Sequence, residues 1–404
     1  MAGKVRLVVA AASCLSLASC SVAAPSPVAP TGGQVPARGD SQALTPVIAQ
    51  VLSDPVPFAG SDGLTHLVYE LEVTNFSSGD TTVEELAVLD AAGGEVVATF
   101  AAADVARRLQ PVGRREPVDS LTPAMTAIVF LHLTFADAGG VPDQLLHRLS
   151  LHVEAAPPGF QQITEEVGST EVDRTPVVRL GAPLRGTGYV SADSCCDASR
   201  HTRATLPIDG RIWLAQRYAV DYEQLDAEGR LFAGDIKDLH SWTIYGEEAL
   251  AVADGMVVTV IDGLPEQVPG VYPQGLSPDE ADGNAVILDL GDGNHVLYAH
   301  FQPGSVRVAE GDRVQRGDVL GLVGNSGNSV APHLHFHVMS RPLSLGSNGL
   351  PYLIDAFTVT GQTAGTEAFD IAEAEGTRLE VTPLAPVAAV TNAMPLDQTV
   401  VTFD

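Results

Sequence analysis

The chain has 404 residues, enough for two sizeable cores. Its 50 acidic and 22 basic residues give a formal charge of −28, a balance that argues against nucleic acid as a partner. No internal apolar run is long enough to span a bilayer. Abundant Gly and Pro, with Val, Thr and Leu in short alternating runs, predict a mainly β chain.

Taken in chain order, the first segment reads as a targeting sequence. Lys4 and Arg6 precede an apolar stretch from Leu7 to Leu17. Leu17-Ala18-Ser19-Cys20 then looks like a bacterial lipobox, in which Cys20 is lipidated and becomes the mature N-terminus. An ordinary signal peptide cut nearby is the alternative. Residues 1–20 are assigned to this signal, and residues 21–46, rich in Pro, Ala and Ser, to a flexible tether. The expectation is an exported lipoprotein, anchored to a membrane through its N-terminal lipid and facing the periplasm or the cell surface.

Residues 47–157 read as a separate β domain. Leu67, Tyr69, Leu71 and Val73 alternate with Glu70, Glu72 and Thr74, as in a half-buried strand. Strands from Val83 to Leu89 and from Glu95 to Phe100 flank Ala91-Ala92-Gly93-Gly94, a hairpin signal. A short helix is predicted from Ala102 to Leu109, with further strands from Ala127 to Phe135 and from Leu145 to Val153. This spacing predicts an immunoglobulin-like β-sandwich. His66, His132, His147 and His152 have no partner motif and read as ordinary surface or satisfied histidines. Residues 158–199 read as a Pro/Gly-punctuated connector. Its vicinal Cys195 and Cys196 suit a disulfide that staples a loop, or a thiolate metal site.

Residues 200–362 carry the chemistry. The run from Gly324 to His337 ends His333-Leu334-His335-Phe336-His337. A strand places alternate residues on one face about 6.5 Å apart, so these three histidines share a side. Two imidazoles at that spacing suit a zinc site, one as ligand and one as base or supporting partner. Three histidines on a wet strand face are the plain alternative. Upstream lie Arg217-Tyr218-Ala219-Val220-Asp221, Ala251-Val252-Ala253-Asp254-Gly255, and Asn294-His295-Val296-Leu297-Tyr298-Ala299-His300. Gly311-Asp312-Arg313-Val314 and Gly317-Asp318-Val319-Leu320-Gly321 follow.

In this order the motifs resemble the M23 zinc metallopeptidases of the lysostaphin and LytM type, over roughly residues 200–345. The resemblance implies a β-rich domain with an open groove over zinc. It makes Asp221 and His335 zinc ligands, His333 the general base for an attacking water, and His300 a group that polarises that water or stabilises the oxyanion. A three-ligand zinc with an open position would lower the pKa of bound water to about 7, where a neutral histidine can accept the proton.

One position departs from the family. Arg217 stands where a ligand histidine is usual, and arginine cannot ligate zinc. His201 is the predicted replacement. The segment from His201 to Tyr218 reads as a hairpin whose three-residue loop ends at Gly210. Pro207 then opposes Arg211, and His201 falls opposite Arg217, with Cβ atoms roughly 5 Å apart. A two-residue loop would turn His201 away. Arg217 is expected to lean out and grip a substrate carboxylate. His337, where the family has Glu, is a weaker candidate ligand. The segment from Gly263 to Gly283 reads as an insertion that walls or lids the groove. Residues 363–404 read as an acidic loop and a C-terminal strand.

Three functions compete. One is a zinc endopeptidase cutting peptidoglycan stem-peptide cross-links. Another is a non-catalytic relative that binds cell wall or activates another hydrolase. The last is a metalloprotease acting on proteins. Arg217 favours the second; Asp221, His300, His333 and His335 together favour the first.

Overall fold

The computed structural model describes residues 44–197 and 200–404. The targeting segment, Cys20 and nearly all of the tether lie outside the described residues. Among the described residues no helix is long and apolar enough to cross a membrane.

The first domain contains β1 (Val47–Val51), β2 (Phe58–Ala59), β3 (Thr65–Asn75), β4 (Thr81–Asp90) and β5 (Val96–Ala101). Then come α1 (Ala102–Arg108), β6 (Leu109–Pro111), β7 (Thr126–Phe135), β8 (Gln144–Val153) and β9 (Gln162–Glu171). They form two antiparallel sheets, β1-β3-β7-β6 with β2 beside β3, and β5-β4-β8-β9. Alternation sorts the faces. Leu67, Tyr69, Leu71 and Val73 of β3 meet Leu86 and Val88 of β4 and Leu145, Leu149 and Leu151 of β8 in one core. The opposite face of β3 is not wet. His66, Val68 and Glu70 are buried there, because that face docks on the second domain.

Residues 158–199, read as a connector, instead hold β9, which completes the sandwich, and then β10 (Val178–Leu180) and β11 (Gly186–Ala192). The second domain continues with β12 (Leu206–Ile208), β13 (Arg211–Trp213), β14 (Val220–Gln224), β15 (Glu248–Leu250), β16 (Gly255–Ile261) and β17 (Asn284–Gly291). Next are β18 (Asn294–Phe301), β19 (Arg313–Val314), β20 (Val319–Leu322), β21 (Leu334–Met339), β22 (Gly349–Leu350) and β23 (Tyr352–Ile354). Last come β24 (Phe357–Thr363), α2 (Thr366–Glu375), β25 (Val381–Val390) and β26 (Thr399–Phe403), so the expected C-terminal strand is present as β26, while the stretch read as an acidic loop holds a helix and a strand.

The main sheet has the order β19-β16-β17-β18-β21-β14-β11-β26-β24-β25, with β22 beside β21. One face buries Val220 and Tyr222 of β14, Val296 and Tyr298 of β18, and Leu334, Phe336 and Val338 of β21. The residues between them point the other way. In register, Asp221 lies directly opposite His335, and His335 opposite Ala299. Antiparallel pairing therefore gathers chemistry from segments far apart in sequence onto one patch of one face.

Candidate metal centre

Asp221 is the hub of that patch. His335 Nδ1 lies 2.8 Å from Asp221 Oδ1, His333 Nε2 3.4 Å from the same oxygen, and His201 Nε2 3.4 Å from Oδ2. His300 is even-numbered, and strict alternation would turn it to the core beside Tyr298. A left-handed φ of 67° at His300 breaks the alternation within β18 instead. Its ring stands 4.6 Å from that of His333, centroid to centroid.

Each ring is fixed from behind. His300 Nδ1 donates to the Ser326 carbonyl at 2.7 Å, His333 Nδ1 to Ala331 at 2.8 Å, and His201 Nδ1 to Asp193 at 2.9 Å. A carbonyl only accepts, so these three histidines must present Nε2 to the site. His335 is reversed: Nδ1 faces Asp221 while Nε2 contacts His337 Nδ1 at 3.0 Å. His337 therefore supports His335 and does not join Asp221 as a ligand.

The electrostatics suit a cation. Burial disfavours a charged Asp221, yet His333, His201 and His335 hold its carboxyl well below the usual carboxylate range. Burial, the largest influence, lowers His201, and it lowers His300 much further with help from His333 and His335. At His333 burial is overcome by the charge and hydrogen bond of Asp221, which push the ring up to about 9. His201, Asp221 and His335 can bring one ligand atom each to a common point. Two imidazoles and a carboxylate, with both imidazoles anchored through their second nitrogen, are the donor set of a three-ligand zinc site.

The site opens into a cavity of about 480 Å³, walled by Glu223, Tyr272, Glu373 and, from the sandwich, Arg115. Tyr272 belongs to the segment read as an insertion. That segment runs along the loop before His333 through Gln267 N to Asn325 O and Gly270 N to Val330 O, so it forms a wall. Glu373, on α2, and the Asp193 carbonyl behind His201 had no motif to announce them.

Two expectations need correction. The hairpin loop has two residues, not three: Ile208 pairs with Arg211, and Pro207 with Ile212. Asp209 and Gly210 both have positive φ, 49° and 74°, as a type I′ turn requires. His201 reaches the site all the same, because it precedes β12 and sits in the loop after β11. Arg217 does not grip substrate. It is 4% exposed and turns into the sandwich, where Nη2 pairs with Glu70 Oε2 at 2.8 Å and donates to Ser53 Oγ at 2.7 Å. Burial, the largest influence, works against its charge, and Glu70 together with Tyr218 more than offsets it.

Fold and site thus define a β-rich domain with a histidine- and aspartate-lined groove. Residues 242–345 match the family model described as Peptidase family M23. That match includes His300, His333 and His335 but begins after His201 and Asp221. The chain is 44% identical over 61 residues to Endolysin 2638A of Staphylococcus phage 2638A, covering 15% of this chain and 12% of the relative. It is 34% identical over 71 residues to the peptidoglycan DD-endopeptidase ShyA of Vibrio cholerae, covering 17% and 16%. The chain thus spans under a fifth of the length of either relative. Among solved structures, the catalytic domain of lysostaphin from Staphylococcus simulans aligns at 23% identity and a TM-score of 0.22, covering 41% of this chain and 88% of that one.

Proposed function

We propose that the chain is a zinc-dependent endopeptidase acting on peptidoglycan cross-link peptides, with His201, Asp221 and His335 as the metal ligands. The convergence of His201 Nε2, Asp221 and His335 Nδ1 carries this reading. Zinc held there supplies Lewis acidity toward water and toward a scissile carbonyl. A cation on Asp221 would cancel the charge that raises His333, and His333, with Nδ1 tied to Ala331, then offers Nε2 as the site that takes a proton from water and returns it to the leaving amine. His300, kept neutral by burial, offers a second Nε2 beside it to orient that water. Arg217 ceases to favour a non-catalytic relative, since it lies in a domain contact and His201 stands in its place. The named activity of the Vibrio relative supports the choice of substrate. Export and lipid anchoring through Cys20 belong to the same proposal and rest on the sequence.

The deciding measurement is zinc per chain after dialysis, with muropeptide cleavage beside it. Wild type and Arg217→Met should each keep one equivalent at this site, and His201→Ala should lose it together with activity. Full zinc content in His201→Ala would sink the ligand assignment.

A further inference from the structure

A second cluster of metal-type side chains lies where the sandwich meets the peptidase domain. His66 on β3 and His132 on β7 share the docking face. Their ring planes differ by 14° with centroids 5.1 Å apart, and His66 Nδ1 lies 2.8 Å from His132 Nε2. That combination sets the rings edge to edge. Each far nitrogen meets a carboxylate: His66 Nε2 to Asp62 Oδ1 at 3.0 Å, and His132 Nδ1 to Asp197 Oδ2 at 3.2 Å. Carboxylates accept, so both far nitrogens donate. Two neutral rings would then aim lone pairs at each other across 2.8 Å. A proton or a metal cation between them would relieve that opposition.

The arrangement is built rather than incidental. A Cβ on Gly60 would stand 2.4 Å from His66 Nε2, so only glycine leaves room for the Asp62 contact. Phe58 lies against the His66 ring at 5.5 Å. Carboxylates behind both imidazoles are the usual way a protein orients ligand histidines.

Cys196 supplies the third element. Its Sγ is 3.8 Å from His66 Nδ1, and it can bring a ligand atom to the same point as His66 and His132. Cys196 is joined to Cys195 by a disulfide, and the thiolate, not a disulfide sulfur, is the metal ligand. Charge then distinguishes two states. Asp62 and Asp197 carry two negative charges, and Arg108 Nη1, 2.6 Å from Asp197 Oδ1, cancels one. A single proton shared by the histidines balances the remainder. Reduction adds a thiolate, and a dication then balances the site.

We propose that His66 Nδ1, His132 Nε2 and the Cys196 thiolate form a second, redox-gated zinc-type site that pins the sandwich to the peptidase domain. A dithiol opens it by exchange: the Cys195–Cys196 bond breaks, both sulfurs gain an electron and a proton, and the dithiol becomes a disulfide. Cys196 and the histidine pair release their protons as the dication enters. Zinc–nitrogen bonds of about 2.0–2.1 Å require the two ring nitrogens to part by roughly 0.5 Å.

Cobalt(II) titration of the metal-stripped full chain tests this, with and without a water-soluble phosphine that reduces the disulfide and is itself oxidised to phosphine oxide. The oxidised chain should bind one cobalt with no thiolate-to-metal charge-transfer band. The reduced chain should bind a second, with that near-ultraviolet band. His66→Ala, the more exposed His132→Gln and Cys196→Ser should each abolish the band, and Asp62→Asn should weaken the second site about tenfold or more. His201→Ala should keep the band, since the peptidase site has no sulfur; failure of that site is thereby told apart from failure of this one. A reduced wild-type chain without the band, or a band that survives in Cys196→Ser or His66→Ala, would overturn the proposal.

Discussion

Arg217 and His201 show how much one side chain can say before its surroundings are known. His201 was singled out because arginine cannot ligate and a three-residue hairpin loop was expected to bring that histidine across; the register was wrong, yet His201 lies 3.4 Å from Asp221 by another route. The use made of Arg217 was not legible, because Glu70 lies in the other domain and looks like an ordinary wet-face residue of an alternating strand. Both partners are buried, Glu70 fully. Glu70→Ala should therefore cost about 3–5 kcal/mol in a denaturation experiment by stranding a buried guanidinium, and a paired Glu70→Met, Arg217→Met chain should recover most of it. Metal content should not move in either. His333 makes the complementary case. His333→Ala should retain zinc yet lower turnover by about 10²-fold or more, because it removes a proton acceptor and no ligand. Loss of the metal in that variant would return His333 to the ligand set.

Elements with strong alternation or an apolar run were readable, and elements with neither were not. β3 and β8 alternate because each turns one face into the sandwich core, and β4 and β7 were readable by their apolar runs instead. By contrast β9 is largely polar and mostly outside that core, and β25 carries Pro383 and Pro386 at the edge of the main sheet, where a missing donor does no harm. The hairpin of β12 and β13 erred by a single residue of loop, which flips every side chain. It did not displace His201, whose position is set by the loop after β11. Gly210→Val should thus cost about 1–2 kcal/mol by forcing a branched residue into left-handed backbone, while zinc binding stays intact. Weakened zinc binding in Gly210→Val would mean that the hairpin positions His201 after all.

At the scale of the whole molecule, His147 ties the two sandwich sheets together. Nδ1 donates to the Gly168 carbonyl at 2.9 Å and Nε2 accepts from the Tyr69 hydroxyl at 2.9 Å. Burial pushes its pKa down to about 4 from 6.5. The unfolded chain then binds the extra proton between those values, so the contribution is present above pH 6.5 and is lost as pH falls toward 4. The loss is on the order of 3 kcal/mol. His147→Gln should narrow the fall in Tm between pH 7 and pH 4.5; an equal fall in variant and wild type would clear His147 of the effect. The position of β26 has another consequence. It fills the gap between β11, which precedes the loop carrying His201, and β24, which leads into α2 and Glu373. While the chain is being synthesised, His201, His300, His333 and His335 all emerge from the ribosome before residue 399 does. The two walls of the groove are therefore joined through the sheet only once Thr399–Phe403 has paired between β11 and β24.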